Sequence, residues 1–230
     1  MIRGVVFDLD GTLLDTEKLF IRFWLEAANR MGFPMERRHA LMIRGMASDL
    51  AEELLRREVC PEFAYHQVRA LRGELMEAYI EENGVETKPG AQQTLEALKA
   101  RGFGIALATA SNLERASRFL KQTGLYDYFD NITVAAMVRH GKPAPDIYLH
   151  AAAQLGLEPY EAAAVEDAPN GLISAHAAGL HPVLIPDQDQ PDEALRALCA
   201  AVLPSLEALV PWIEQQNQNC TELSKTVDFV

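Results

Sequence analysis

Apolar and polar positions along the chain alternate between two regimes. Short, nearly continuous apolar runs, "GVVFDLD" at the start, "GFGIALATAS" from Gly102, "NITVAAM" from Asn131, "AAAVEDA" from Ala162 and "HPVLIPD" from His181, read as buried parallel strands. Between them the apolar residues fall at helical spacing. "AQQTLEALKARG" precedes the second run; "SNLERASRFLKQTGL" follows it, opening on Ser111 and Asn112 and stopping at Gly124. "PDIYLHAAAQLGL" and "NGLISAHAAGL" flank the fourth run. Alternating strand and helix predicts an α/β fold: a Rossmann-like parallel sheet with right-handed crossovers and helices on both faces.

One region breaks the alternation. From Thr16 to Gly84 the pattern is helical throughout, with Leu50, Leu54 and Leu55 spaced for helices and no convincing strand. The simplest reading is an α-helical cap of four or five helices inserted after the first strand. Residues 1–15 and 86–216 then form the core domain, 16–85 the cap domain, and the polar end from 217 to 230 a loosely ordered tail, because "QQNQNCTELSKTVDFV" shows no sustained period.

Composition narrows the function. The chain has 230 residues, 49% hydrophobic, enough to bury a large core without disulfides. Cys60, Cys199 and Cys220 lie far apart without CxxC spacing, which suggests neither a zinc site nor a disulfide framework and fits a reducing, cytoplasmic setting. No apolar run is long enough for a membrane span or a signal-peptide core, so no membrane partner is expected. A net charge of -12 argues against nucleic-acid binding, whose sequence-independent affinity comes from cations. A small anionic substrate would need local cations or a bound metal. Oligomeric state is not legible in the pattern.

In open α/β sheets ligands bind at the carboxyl ends of the strands, so the strand ends carry the candidate chemistry. The first ends in Asp8-Leu9-Asp10-Gly11-Thr12. Two carboxylates one residue apart point to the same side of a strand, and burying both unpaired costs several kcal/mol, on the order of the desolvation penalty per ion. Mg²⁺, which takes oxygen ligands, is the natural counter-charge; an N-cap aspartate beside a surface turn is the competing reading. The second ends in Thr109-Ala110-Ser111-Asn112, where a hydroxyl and helix-start N–H groups can hold a phosphate oxygen. Taken alone, helix capping by Ser111 or Asn112 explains that segment better. After the third, Lys142 is fixed between Gly141 and Pro143, suited to steadying a phosphoryl group, with an exposed turn lysine as the alternative. The fourth ends in Glu166-Asp167, a second acid pair that converges on the first if the two strands are neighbours.

With these residues in order, the chain resembles the haloacid dehalogenase-like hydrolase superfamily, in the helical-cap subgroup that includes β-phosphoglucomutase and phosphoglycolate phosphatases. "DLDGT", "ATAS", "KPAPDIY" and "VEDAPNG" with "AAGL" stand as its four motifs. The resemblance implies that Asp8 is the nucleophile forming an aspartyl-phosphate and Asp10 the general acid and base. It implies Mg²⁺ held by Asp8, the carbonyl of Asp10 and Asp167, with Glu166 beside or within the shell. Thr109, Ser111, Asn112 and Lys142 would grip the phosphoryl oxygens. Thr16, Arg44 with Gly45, and Arg72 join as substrate-contacting residues, the arginines competing with the reading of solvated helix charges. Dehalogenases use one aspartate and no Mg²⁺, so Asp10, Glu166 and Asp167 favour phosphoryl chemistry. Phe20 stands where the mutase has a cap histidine and Ser48 where it has a phosphate-binding arginine, which favours a phosphatase acting on a small phosphorylated metabolite, such as a sugar phosphate. A sugar-phosphate mutase is the alternative, and a non-catalytic binding module the third reading.

Overall fold

The computed structural model describes the backbone of residues 1–227 and the side chains of residues 1–221. Six strands, β1 (Gly4–Phe7), β2 (Gly104–Thr109), β3 (Asn131–Val134), β4 (Ala162–Glu166), β5 (His181–Leu184) and β6 (Ala201–Val202), form one sheet in the order β3-β2-β1-β4-β5-β6. Every pair is parallel. The five apolar runs are β1 to β5. Sequence pattern missed β6, because a two-residue edge strand has no room for a period.

The order reverses direction at β1, with β2 on one side and β4 on the other. That is the topological switch point, outside which ligands bind in such sheets. Register places Phe7 opposite both Leu107 and Val165, so Asp8 emerges between the ends of β2 and β4. The Asp8 N–H still donates to the Val165 carbonyl at 2.9 Å, which extends the ladder to the first acid.

Period-two alternation divides the core. Val5, Phe7, Ile105, Leu107, Val165 and Val183 face helices α5 (Ala91–Ala100), α6 (Leu113–Gln122) and α10 (Leu209–Val227). Val6, Ala106, Ala108, Ala162 and Ala164 face α7 (Asp146–Gln154) and α8 (Pro169–Ala177). The alanines on this second face leave room for the fully buried Tyr148 and Ile147 of α7.

Between β1 and α5 the chain runs through α1 (Glu17–Arg30), α2 (Arg37–Met42), α3 (Ser48–Glu58) and α4 (Tyr65–Asn83). These four helices have a hydrophobic cluster of their own, centred on Trp24, Leu55, Phe63 and Val68. The two connections to the sheet run side by side: Asp15 donates to the Glu86 carbonyl at 2.9 Å and Lys88 to the Leu13 carbonyl at 2.8 Å. Helix α9 (Glu193–Leu198) precedes β6.

Where a loose tail was expected over 217–230, α10 continues as helix to Val227, and residues 228–230 lie outside the described residues. Its inner residues Leu209 and Ile213 are buried, and Asn217 is fastened to Ile2 by two hydrogen bonds, at 2.7 and 2.8 Å. Polar composition concealed the helix.

Candidate active site

β1, β2 and β4 end on the floor of a cavity of about 690 Å³, roofed by α1, α3 and α4. The cap-side loop is held against this floor. Ala47 donates to the Lys142 carbonyl at 3.0 Å, and the Asn170 side chain donates to the Arg44 carbonyl at 2.7 Å.

On the floor, Lys142 is 2% exposed and its Nζ donates to Asp8 Oδ1 at 2.5 Å, Glu166 Oε1 at 2.6 Å and the Ala108 carbonyl at 2.9 Å. All three ammonium protons are thus used, which is the condition for keeping such a charge buried. Burial disfavours the charge, but Asp8 and Glu166 outweigh it and raise the Lys142 pKa. Glu166 also accepts from the Tyr148 hydroxyl of α7, and Gly171 leaves it space, because a Cβ there would overlap the Glu166 carboxylate.

Oxygens of Asp8, Glu166 and Asp167 lie within 4.8 Å of one another. Thr12 donates to Asp167 at 3.3 Å, and Arg44 reaches Asp167 Oδ2 at 3.4 Å and also pairs with Asp189. Glu17, buried in the first turn of α1, belongs to the same acidic group, and its Oε2 has no hydrogen-bond partner. Burial, with repulsion from Asp10, pushes Glu17 up to about 8. Burial likewise pushes Asp8 up to about 8, against the pull of Lys142, and raises Asp167 well above the carboxylate range with Glu17 and Glu166 adding to it. Four buried carboxylates therefore meet two buried cations among the described residues, Lys142 and Arg44. A hard divalent cation fits this oxygen-only donor set and its deficit of positive charge.

Asp10 is held differently. Thr16 Oγ1 and Ser111 Oγ each donate to it at 2.7 Å, and Arg115 of α6 approaches both its oxygens at 3.3 Å. Burial works against its ionisation, but Arg115, Thr16 and Ser111 prevail and hold its pKa below the usual value. Two carboxylates separated by one leucine thus sit in opposite environments, the arrangement from which acid and base roles are divided.

Asp8, Asp10, Thr109, Ser111, Lys142, Glu166 and Asp167 all border the cavity. Thr16 does not: it is fully buried and its hydroxyl serves Asp10 rather than a ligand. Asn112 lines the rim, but its side chain caps α6 by accepting from the Arg115 N–H at 2.8 Å. Arg44 points at Asp167, and Arg72 stacks over Phe20 and Trp24 at 4.7 and 5.3 Å with its Nε unpartnered. Burial, with Arg115 nearby, lowers Arg72 to about 10. Neither arginine is a solvated helix charge. Arg115, Glu17 and Tyr148 were not anticipated. Arg115 carried a signal, since it lies four residues after Ser111 on one helix and so on the same face.

A haloacid dehalogenase-like hydrolase family model matches residues 2–179. The chain belongs to that family. Hexitol phosphatase A of Escherichia coli (strain K12) is 34% identical over 183 residues, covering 80% of this chain and 82% of the relative. Fructose-1-phosphate phosphatase YqaB of the same strain is 31% identical over 185 residues, covering 78% and 94%. Among solved structures, CbbY from Rhodobacter sphaeroides in complex with phosphate superposes with a TM-score of 0.71 at 26% identity, covering 90% of this chain and 95% of that one. As a member of the family, the protein is a phosphoric monoester hydrolase. Among the described residues, no helix is long and apolar enough to cross a membrane.

Proposed function

We propose that the protein hydrolyses a small sugar or sugar-alcohol phosphate through an aspartyl-phosphate on Asp8, with Mg²⁺ held by Asp8, the Asp10 carbonyl, Glu166 and Asp167. Residues 16–85 act as a cap over a core of 1–15 and 86–216. The observation that carries the reading is the Asp8–Lys142 contact at 2.5 Å beside Glu166 and Asp167, at the switch point of the sheet. The phosphatase names of the two relatives, and a cavity large enough for a six-carbon ester, support the substrate class.

Asp8 bonds to phosphorus while the ester oxygen leaves with the electron pair and takes a proton from Asp10. Lys142 stays within reach of Asp8 and offsets charge on the phosphoryl oxygens. The Thr109 hydroxyl, which accepts from the Ser111 N–H at 3.0 Å, keeps its own proton free to donate towards the phosphoryl group. Water then attacks the phosphorus, its proton passes to Asp10, and the bond to Asp8 breaks. A bound Mg²⁺ supplies positive charge that favours the ionised Asp8 and the negative transition state. The docked helices keep bulk water from the phosphorylated aspartate.

A phosphate-release screen over hexose, pentose and hexitol phosphates tests the reading. Turnover is expected with Mg²⁺, absent with chelator, and reduced about 10⁴-fold or more in Asp8→Asn. Wild-type turnover by Asp8→Asn, or no metal-dependent release from any ester, would overturn it.

A further inference from the structure

The loop after β5 is rooted in the sheet at one end and in a helix at the other. The Ile185 N–H donates to the Glu166 carbonyl at 2.8 Å, which extends the ladder past Leu184, and Asp192 caps α9 by accepting from the Leu195 N–H at 2.8 Å. Between these ends, Pro186 and Pro191 restrict the backbone on either side of Asp187-Gln188-Asp189-Gln190. Three successive residues of this loop are bonded to a different part of the chain. Lys88, in the connection that returns to the sheet, donates to Asp187 Oδ1 at 2.6 Å. Arg37 of α2 donates to the Gln188 carbonyl at 3.2 Å and to its side-chain oxygen at 3.3 Å. Arg44, in the loop between α2 and α3, donates to Asp189 while its other terminal nitrogen reaches Asp167.

All three cations thus belong to the inserted helices or their return connection, and all three acceptors to consecutive positions of one core loop. Three residues span at most ~10 Å, so the loop lies along the seam from the return connection to the loop that roofs the floor. Both ends of this line are shielded: the side chains of Asp187 and Arg44 are 7% and 3% exposed. The middle contact, from Arg37, is exposed and therefore weaker. At the Arg44 end the same loop also holds the core through its backbone, by the bonds from Asn170 to the Arg44 carbonyl and from Ala47 to the Lys142 carbonyl.

We propose that Asp187–Asp189 is a strap by which the core holds the inserted helices over the cavity, with Asp189 a positioning residue acting through Arg44. The inference rests on the reading of residues 16–85 as a cap, and it concerns how much of the enzyme is docked, not the chemistry beneath. Substrate binds productively to the docked form, so its apparent affinity scales with the docked fraction. Loosening the strap lowers that fraction by the same factor for every ester. Saturating substrate draws the population back to the docked form, so kcat is retained.

Steady-state kinetics on several esters, beside hydrogen exchange of the ligand-free protein, tests the strap. KM is expected to rise about tenfold in Asp189→Asn and about threefold in Arg37→Ala, with kcat within about twofold and the same factor for each ester. Gln188→Glu, which gives Arg37 a charged partner, lowers KM about twofold. Arg37 is exposed and its bonds run to Gln188, so its variant serves if Asp189→Asn does not fold. Without substrate, the amides of residues 43–47 exchange about tenfold faster in Asp189→Asn while those of β1 and β4 are unchanged. Unchanged KM with unchanged exchange would overturn the proposal. So would a KM rise that differs from ester to ester, which marks a substrate contact, or faster exchange along the whole chain, which marks general destabilisation. Should wild-type enzyme release phosphate from no ester, the phosphatase reading fails, and the exchange comparison still decides the strap.

Discussion

The floor and the roof of the cavity hold their charges in different ways. On the floor, Asp8, Lys142, Glu166 and Asp167 are 7%, 2%, 1% and 3% exposed, and each contacts at least one oppositely charged group of the cluster. On the roof, Phe20, Trp24 and Tyr65 form an aromatic surface against which Arg72 lies with no carboxylate partner, and Arg69 is exposed. Asp8, Glu166 and Asp167 hang from the ends of β1 and β4, each paired on both sides, and Lys142 from the loop between β3 and α7. Roof residues belong to helices with a separate hydrophobic cluster, joined to the core by two adjacent connections. On the proposed reading the contrast separates chemistry from selection: a buried charge cluster for the phosphoryl group, and an aromatic and cationic surface for the rest of the ester.

Replacing Lys142 by Met strikes the floor hardest. It leaves Asp8 and Glu166 without their shared cation, a loss on the order of 3–5 kcal/mol for a broken buried pair. The expected result is a turnover drop of about 10³-fold and a lower thermal midpoint without metal. If the variant kept wild-type turnover, the floor would not be the catalytic wall.

The acid cluster gives the second test. Asp8 and Glu17 are both raised to about 8, well above an unfolded carboxylate near 4. The folded state then binds more protons than the unfolded one between those values, so metal-free stability falls as pH rises towards about 8. Asp10, shifted downward, acts oppositely and loses its contribution only as pH falls through the acid range. Thermal midpoints in chelator from pH 5 to pH 9 should therefore decline, and Mg²⁺ should restore more stability at the alkaline end. A midpoint that rises across the range would mean the carboxylates are ionised without a cation.

The roof predicts the smallest effect. Arg72→Leu should raise KM about tenfold with kcat within about twofold, because it removes an interaction with the non-reacting part of the substrate. A collapse of kcat with unchanged KM would place Arg72 with the floor instead.

The same contrast explains what could be read from the chain. Asp8 and the Glu166-Asp167 pair were legible because each closes an apolar strand run, and Lys142 because Gly141 and Pro143 fix it in the loop after the third; an open parallel sheet brings such ends together. The hydroxyl of Thr16 and the amide of Asn112 serve neighbours, Asp10 and the α6 backbone, that pattern alone does not reveal. Glu17 was hidden among the acids after β1, although it alone enters the cavity from the inserted segment with an unpartnered oxygen. On the roof, helical spacing identified the insertion but could not tell which face of each helix meets the floor. Arg44 was expected to meet substrate; it lines the cavity, and the fold pairs it with Asp167 and Asp189.

The central claim is that the floor performs the chemistry through Asp8. Rapid acid quench during turnover of the best substrate, followed by peptide mapping with mass spectrometry, tests it most directly. The account predicts a phosphoryl group on Asp8 that is absent from Asp8→Asn and from enzyme without substrate. Phosphate release at full rate with Asp8 unmodified, or with the phosphoryl group on another residue, would contradict it.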